Sequence, residues 1–145
     1  MLNSQVCYME EQINLWGVLT IINPKFTDDF PQLRNEIGMI TLLSIESDLA
    51  LIEFQKHAKR AFSLNSLLVL RDHMQIRADA ERDAKVLSED NLDDLRQIAI
   101  CAETKILPLH RLAIQLALKD PIVLSYTMNT LQEELDIRRD QGYGR

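Results

Sequence analysis

The chain has 145 residues, 46% of them hydrophobic and 26% charged, and its 16 Lys and Arg against 22 Asp and Glu give a formal net charge of −6. A chain of this size buries about two-thirds of the surface it exposes when unfolded, so one core suffices without a disulfide or metal staple. With 4 Gly and 4 Pro, collagen-like, low-complexity and disordered classes are excluded, and the acidic balance disfavours nucleic acid, whose binders present a basic face.

At the start, Met1-Leu2-Asn3-Ser4-Gln5 has no basic region ahead of an apolar run, so no secretory leader is expected. Nor does any uncharged apolar stretch reach the roughly 18 residues of a membrane span. Val6, Met9, Ile13 and Trp16 recur at helical spacing and Asn23-Pro24 follows as a stop, which predicts a helix over 4–22. Thr27-Asp28-Asp29 before Pro31 reads as the next helix start, with Phe30, Leu33, Ile37 and Ile40 on its stripe. Over 37–54 the apolar residues Ile37, Met39, Ile40, Leu42, Leu43, Ile45, Leu49, Leu51, Ile52 and Phe54 cover more than one face. Two forms fit, a helix buried all round or a β-hairpin turning at Glu46-Ser47-Asp48; the absence of Gly or Asn from that turn and the helical signals on both sides favour the helix, although Gly38 weakens it.

Ser63-Leu64-Asn65-Ser66 supplies cap oxygens for a further helix carrying Leu67, Leu70 and Met74. Its second half, from Arg77 to Lys85, is charged enough to read as a helix projecting into solvent, held by Arg77–Glu81 and Glu81–Lys85 pairs. Periodicity is clearest beyond it, where Leu92, Leu95, Ala99, Ala102, Ile106, Leu109, Ala113 and Leu116 form one stripe. Ser88-Glu89-Asp90-Asn91 starts that helix near 89, and Pro108 kinks it or splits it into 89–107 and 108–119. Asp120-Pro121 starts a last helix over 121–138 with Leu124, Met128, Leu131 and Leu135 inward, followed by a frayed tail over 139–145. Together these elements predict an all-α fold, a single domain over 1–138 built as a bundle of five or six mostly antiparallel helices.

Candidate chemistry is sparse. Cys7 and Cys101 are far apart in sequence with no Cys-x-x-Cys, which suits reduced thiols in the cytoplasm. There is no Gly-x-Ser-x-Gly elbow, phosphate-binding glycine loop or His-Glu-x-x-His helix. Cys101 and His110 could serve as nucleophile and base, but Cys101 lies amid Ile98, Ala99, Ile100 and Ala102 and reads as a buried thiol; Glu53 and His57, four apart, read as an ordinary contact on one helical face. No cofactor and no metal site is expected.

One local pattern stands out around His57, which is followed by Arg60 three positions on, Ala61 four on and Ser63 six on. With the preceding residues from Asp48, this segment resembles the phospho-acceptor helix of histidine phosphotransfer domains. The resemblance implies an all-helical domain in which His57 accepts a phosphoryl group, Arg60 offsets its charge and Ala61 leaves room for a partner's active site. Lys59, Arg60 and Ala61 stand where that family has an apolar residue, a lysine and a glycine.

Charge is also polarised. Residues 55–85 carry 7 basic against 4 acidic groups, whereas 1–54 carry 2 against 8. Lys56, Lys59, Arg60 and Arg71, with Arg77, Arg82 and Lys85 beyond them, would form a positive zone that steers an acidic protein partner or a second copy of the chain. The function expected first is therefore non-catalytic protein–protein interaction, as an adaptor, chaperone-like or regulatory domain able to form a homodimer. Phosphotransfer through His57 is the alternative.

Overall fold

The computed structural model describes residues 18–140. Residues 4–17 of the helix expected over 4–22, Cys7 among them, and residues 141–145 of the expected tail lie outside that range. Among the described residues there are six strands, β1 (Leu19–Ile22), β2 (Gly38–Ser44), β3 (Leu49–Phe54), β4 (His57–Phe62), β5 (Leu67–Leu70) and β6 (Met128–Thr130). Five α-helices accompany them, α1 (His73–Arg82), α2 (Glu89–Glu103), α3 (Leu107–Ala117), α4 (Pro121–Thr127) and α5 (Leu131–Asp140). The fold is mixed α/β, and the all-α bundle predicted from the sequence is overturned.

The reason is clearest over 37–54, which is the β2–β3 hairpin. Ala50, Ile52 and Phe54 are buried while Leu49, Leu51 and Glu53 point away from them, the period of two expected of a strand. Because the outward set is also largely apolar, the run imitated a helix buried on every side. The turn needs no glycine because Asp48 takes the positive φ, at 54°, a conformation Asp tolerates better than most residues. Its amide donates to the Ile45 carbonyl at 3.1 Å, and its Oδ1 accepts from the Leu64 amide at 3.1 Å, so one side chain fixes both the turn and the next loop.

The other early helices are corrected in the same way. Residues 19–22 form β1, buried on both faces. Pro24–Asp29 and Pro31–Leu33 are short 3-10 turns, the first capped by the Asn23 side chain, which accepts from the Lys25 amide. Ser63 precedes another such turn, Leu64–Ser66, and then β5 rather than a helix. The strand order is β4-β3-β2-β1-β5-β6, with antiparallel pairing wherever β1 to β5 adjoin.

The chain divides into two units, one of the residues up to Val69 together with those from Thr130, the other of Leu70–Asn129. In the first, Ile22, Ile40, Leu43, Ile52, Phe54, Phe62, Leu64 and Val69 enclose a core that α5 completes with Leu131 and Leu135. The helix predicted over 121–138 is broken by β6, and the sequence carries the reason: Thr130-x-x-Glu133 is a capping box. Thr130 Oγ1 accepts from the Glu133 amide at 3.0 Å and Glu133 Oε1 accepts from the Thr130 amide at 2.8 Å, so a new helix starts there.

In the second unit, helix starts follow the cap signals. Asp72 accepts from the amides of Met74 and Gln75, Ser88 from Asn91 and Asp120 from Ile122. Pro108 lies in the first turn of α3, and the break falls at 104–106, where Nε2 of His110 donates to the Thr104 carbonyl at 2.6 Å. Small residues let these helices approach closely: Ala80, Ala99, Ala113 and Ala117 lie between Ile76, Leu95, Ile98 and Val123. Helix α1 is thus part of a core, with Ile76 and Ala80 fully buried, and does not project into solvent. Its charges reach across to α2. Arg96 donates to both carboxylate oxygens of Glu81 at 2.9 and 3.0 Å, and Arg77 meets Glu103 at 3.5 Å. None of the described helices is long and apolar enough to cross a membrane.

Candidate protein-interaction edge

The segment Gln55-Lys56-His57-Ala58-Lys59-Arg60-Ala61-Phe62 carries three cations and no carboxylate in a chain of net charge −6. It folds as a two-residue turn at Gln55 and Lys56 leading into β4. Neither turn residue has positive φ, so the turn is not of the primed type that matches strand twist. The register slips next to it, between the Ile52/Arg60 and Phe54/His57 pairs, and this bulge absorbs the mismatch. Strand β4 stands at one end of the strand order, and every residue from His57 to Ala61 is exposed. Among the described residues its backbone is hydrogen-bonded to a strand on one side alone.

Two faces can be assigned from the register, because directly paired residues project to the same side. Phe62 pairs with Ala50 and Arg60 with Ile52, placing Arg60 on the core side. There its guanidinium carbon lies 5.5 Å from the centroid of the Phe30 ring, a cation–π arrangement. Phe30 in turn packs edge-on against Phe62 at 5.2 Å, and Phe54 against Phe62 at 6.1 Å. On the opposite side Ala61 pairs with Leu51 and Leu51 with Leu42, an apolar row running across three strands to the free edge, with Leu42 still 42% exposed. His57 pairs with Phe54 and its Nε2 is 3.9 Å from Glu36 Oε1.

This geometry corrects the helix that the phosphotransfer resemblance implied. His57, Arg60 and Ala61 lie on a strand, so Arg60 is not one helical turn from His57, and Arg60 and Ala61 face opposite sides. Glu53 likewise pairs with Met39 and does not share a helical face with His57.

Lys56, Lys59 and Arg60 lie on one hairpin, Lys59 on the side of Ala61 and Arg60 on the core side, but Arg71 belongs to the other unit and is engaged there. Its guanidinium donates to Asp79 Oδ2 at 2.7 Å and to the Tyr126 carbonyl at 2.7 Å. Asp79 also accepts from Arg82 at 2.8 Å, Arg82 holds Asp83 through two bonds of 3.1 and 3.0 Å, and the Tyr126 hydroxyl donates to Asp83 at 2.6 Å. The five residues close a ring, the link from Arg71 to Tyr126 running through the main-chain carbonyl. Arg82 and then Tyr126 hold the Asp83 carboxyl below the usual carboxylate range, while Asp83 pushes the Tyr126 phenol up. Arg71 and Arg82, read from charge alone as surface cations, are structural members of this ring. Among the described residues no cluster of three or more His, Cys, Asp or Glu is arranged to hold a metal. Cys101 packs half-buried against the helical core.

Sequence reasoning missed the ring and the apolar row, since both depend on which segments pair. The ring had no local signature; the row had one, the alternation in Leu49-Ala-Leu-Ile-Glu-Phe54. Compared with family models, curated proteins and solved structures, the chain matches none.

Proposed function

We propose that this protein is a non-catalytic protein-binding module, working in the cytoplasm, whose binding element is the outer edge of β4. The observation that supports this reading is the exposed edge strand bounded on one side by an apolar row and on the other by an arginine set over the Phe30 ring. A strand in that position offers a line of amides and carbonyls to which an extended segment of a partner can add, with alternate side chains read by the two faces. Arg60, resting on Phe30, loses less freedom when it meets a ligand than an unsupported side chain would. A homodimer made through β4 would bring Lys59 and Arg60 of one copy close to those of the other, and like charges across strands repel. The module is therefore built to receive a different protein at this edge.

Panning the full chain against a random peptide display library tests the reading. Enriched peptides are expected to slow amide hydrogen exchange along His57–Phe62. Peptides that bind yet leave those amides unprotected, or a library from which nothing saturable emerges, would refute it.

A further inference from the structure

We infer that the segment received by β4 is an acidic, two-faced strand, with carboxylates on the side of Arg60 and apolar residues on the side of Ala61. This inference rests on the strand-addition reading above and adds the chemistry of the partner. It follows from what each face of the edge leaves unmet.

On the core side the next strand outward would place a residue beside Arg60. That guanidinium has no carboxylate partner across the strand, since its neighbour on β3 is Ile52, and its stacking on Phe30 leaves the planar donors directed by a fixed support. A Glu or Asp at that position completes an opposite-charge cross-strand pair. Lys56 in the turn and Lys59 in the strand raise the local positive potential further; Lys59 lies on the Ala61 side, where the bulge sets it across from Glu53, and Glu36 faces His57 at 3.9 Å. On the opposite side the row Leu42–Leu51–Ala61 stops at a small residue. A Val or Ile added next to Ala61 extends the row by one strand and covers apolar surface that water now meets. Lysines on an edge usually guard against pairing between copies. Here they do so while leaving a carboxylate-bearing strand as the compatible partner, so repulsion and attraction act together to set specificity.

The test uses the full chain and three labelled synthetic peptides of equal length. One alternates valine and glutamate, one alternates valine and lysine, and one has the composition of the first with its glutamates and valines in separate blocks. Fluorescence anisotropy at low salt gives affinities, and amide exchange locates the binding. The alternating acidic peptide is expected to bind at least about tenfold more tightly than either control, to protect β4, and to weaken as salt screens the charges. Lys59→Glu and Arg60→Glu should each weaken it and strengthen the lysine peptide; Lys59→Glu leaves the Phe30 contact intact and so separates charge from packing. Equal binding by the lysine or block peptide, with β4 protected, overturns the acidic two-faced partner but leaves strand addition standing. Failure of every peptide, library-derived ones included, to protect β4 overturns both. Preferential binding of a single-stranded oligonucleotide through Lys56, Lys59 and Arg60 also overturns the inference.

Discussion

Gly38 tests the hairpin packing most directly. It pairs with Phe54 across β3 and with Thr20 across β1, and the Phe54 ring lies over it. An added Cβ would meet Ile52 Cγ2 at 2.5 Å and Phe54 Cε1 at 2.9 Å, whereas carbon atoms rest at about 3.5–4.0 Å. Ile52 is wholly buried and Phe54 is 2% exposed, so neither has free space to retreat into. Replacing a strand glycine by alanine would by itself favour folding by about 0.5–1 kcal/mol through backbone entropy. Overpacking a filled core opposes this by about 1–3 kcal/mol. We expect Gly38→Ala to be destabilising by about 1–2 kcal/mol on balance. Urea unfolding monitored by circular dichroism should show a lower midpoint with an unchanged slope. The two units need not unfold together, so amide exchange at Ile40 and Ile52 should report the loss in the sheet specifically. Ile52→Leu, which moves the branch methyl from Cβ, should recover part of the loss in the double variant, a coupling of about 0.5 kcal/mol or more. A Gly38→Ala protein as stable as the wild type, or more so, would refute this account of the glycine.

Three further outcomes follow from the helical unit and α5. Because Asp83 is held below its ordinary range by Arg82 and Tyr126, its contribution is present above the unfolded carboxylate value of about 3.9 and lost as pH falls through the folded value. Tyr126 is raised by Asp83, so its contribution is present below about pH 10 and lost as pH rises further; pH titrations of stability should show both limbs flattened in Asp83→Asn and the alkaline limb removed in Tyr126→Phe. Ile76→Ala should cost about 2–5 kcal/mol, measurable by denaturant unfolding, whereas a solvent-projecting α1 would make it nearly neutral. Thr130→Ala should cost about 1 kcal/mol and speed amide exchange in the first turn of α5.

The legible part of this fold was the part governed by local chemistry. Ser88, Asp120 and Pro108 mark helix boundaries through groups a few residues away, and each marks one in the structure. The β half was misread because its evidence is non-local. Leu19-Thr-Ile-Ile22 and Leu67-Leu-Val-Leu70 pair with each other across more than forty residues of sequence, and a strand buried on both faces has no alternation to distinguish it from a buried helix. At 37–54 the alternation was present, but the expected glycine turn was replaced by Asp48, whose carboxylate is fixed by a contact sixteen residues on. Thr130-x-x-Glu133 is readable but competes with a continuous stripe of Leu124, Met128, Leu131 and Leu135, of which Leu124 packs against one core and Leu131 and Leu135 belong to the other.

The same distinction governs the candidate site. Summed along the chain, Lys56, Lys59, Arg60, Arg71, Arg77, Arg82 and Lys85 appear as one basic zone, but a charge acquires meaning only from what faces it. Arg71 and Arg82 are consumed by Asp79 and Asp83, and Arg77 by Glu103. Lys56, Lys59 and Arg60 fall on a hairpin whose outer strand is exposed and, among the described residues, pairs on one side alone, and their own segment contains no acid. An internal ion pair lowers the field a cation projects, whereas a cation without one projects it fully. Pairing of Arg71, Arg77 and Arg82 therefore removes three members of the zone and leaves Lys56, Lys59 and Arg60 as its contribution at β4. Charge reversal at Lys59 should accordingly change the association rate of an acidic ligand and its salt dependence, while charge reversal at Arg82 should act on stability first.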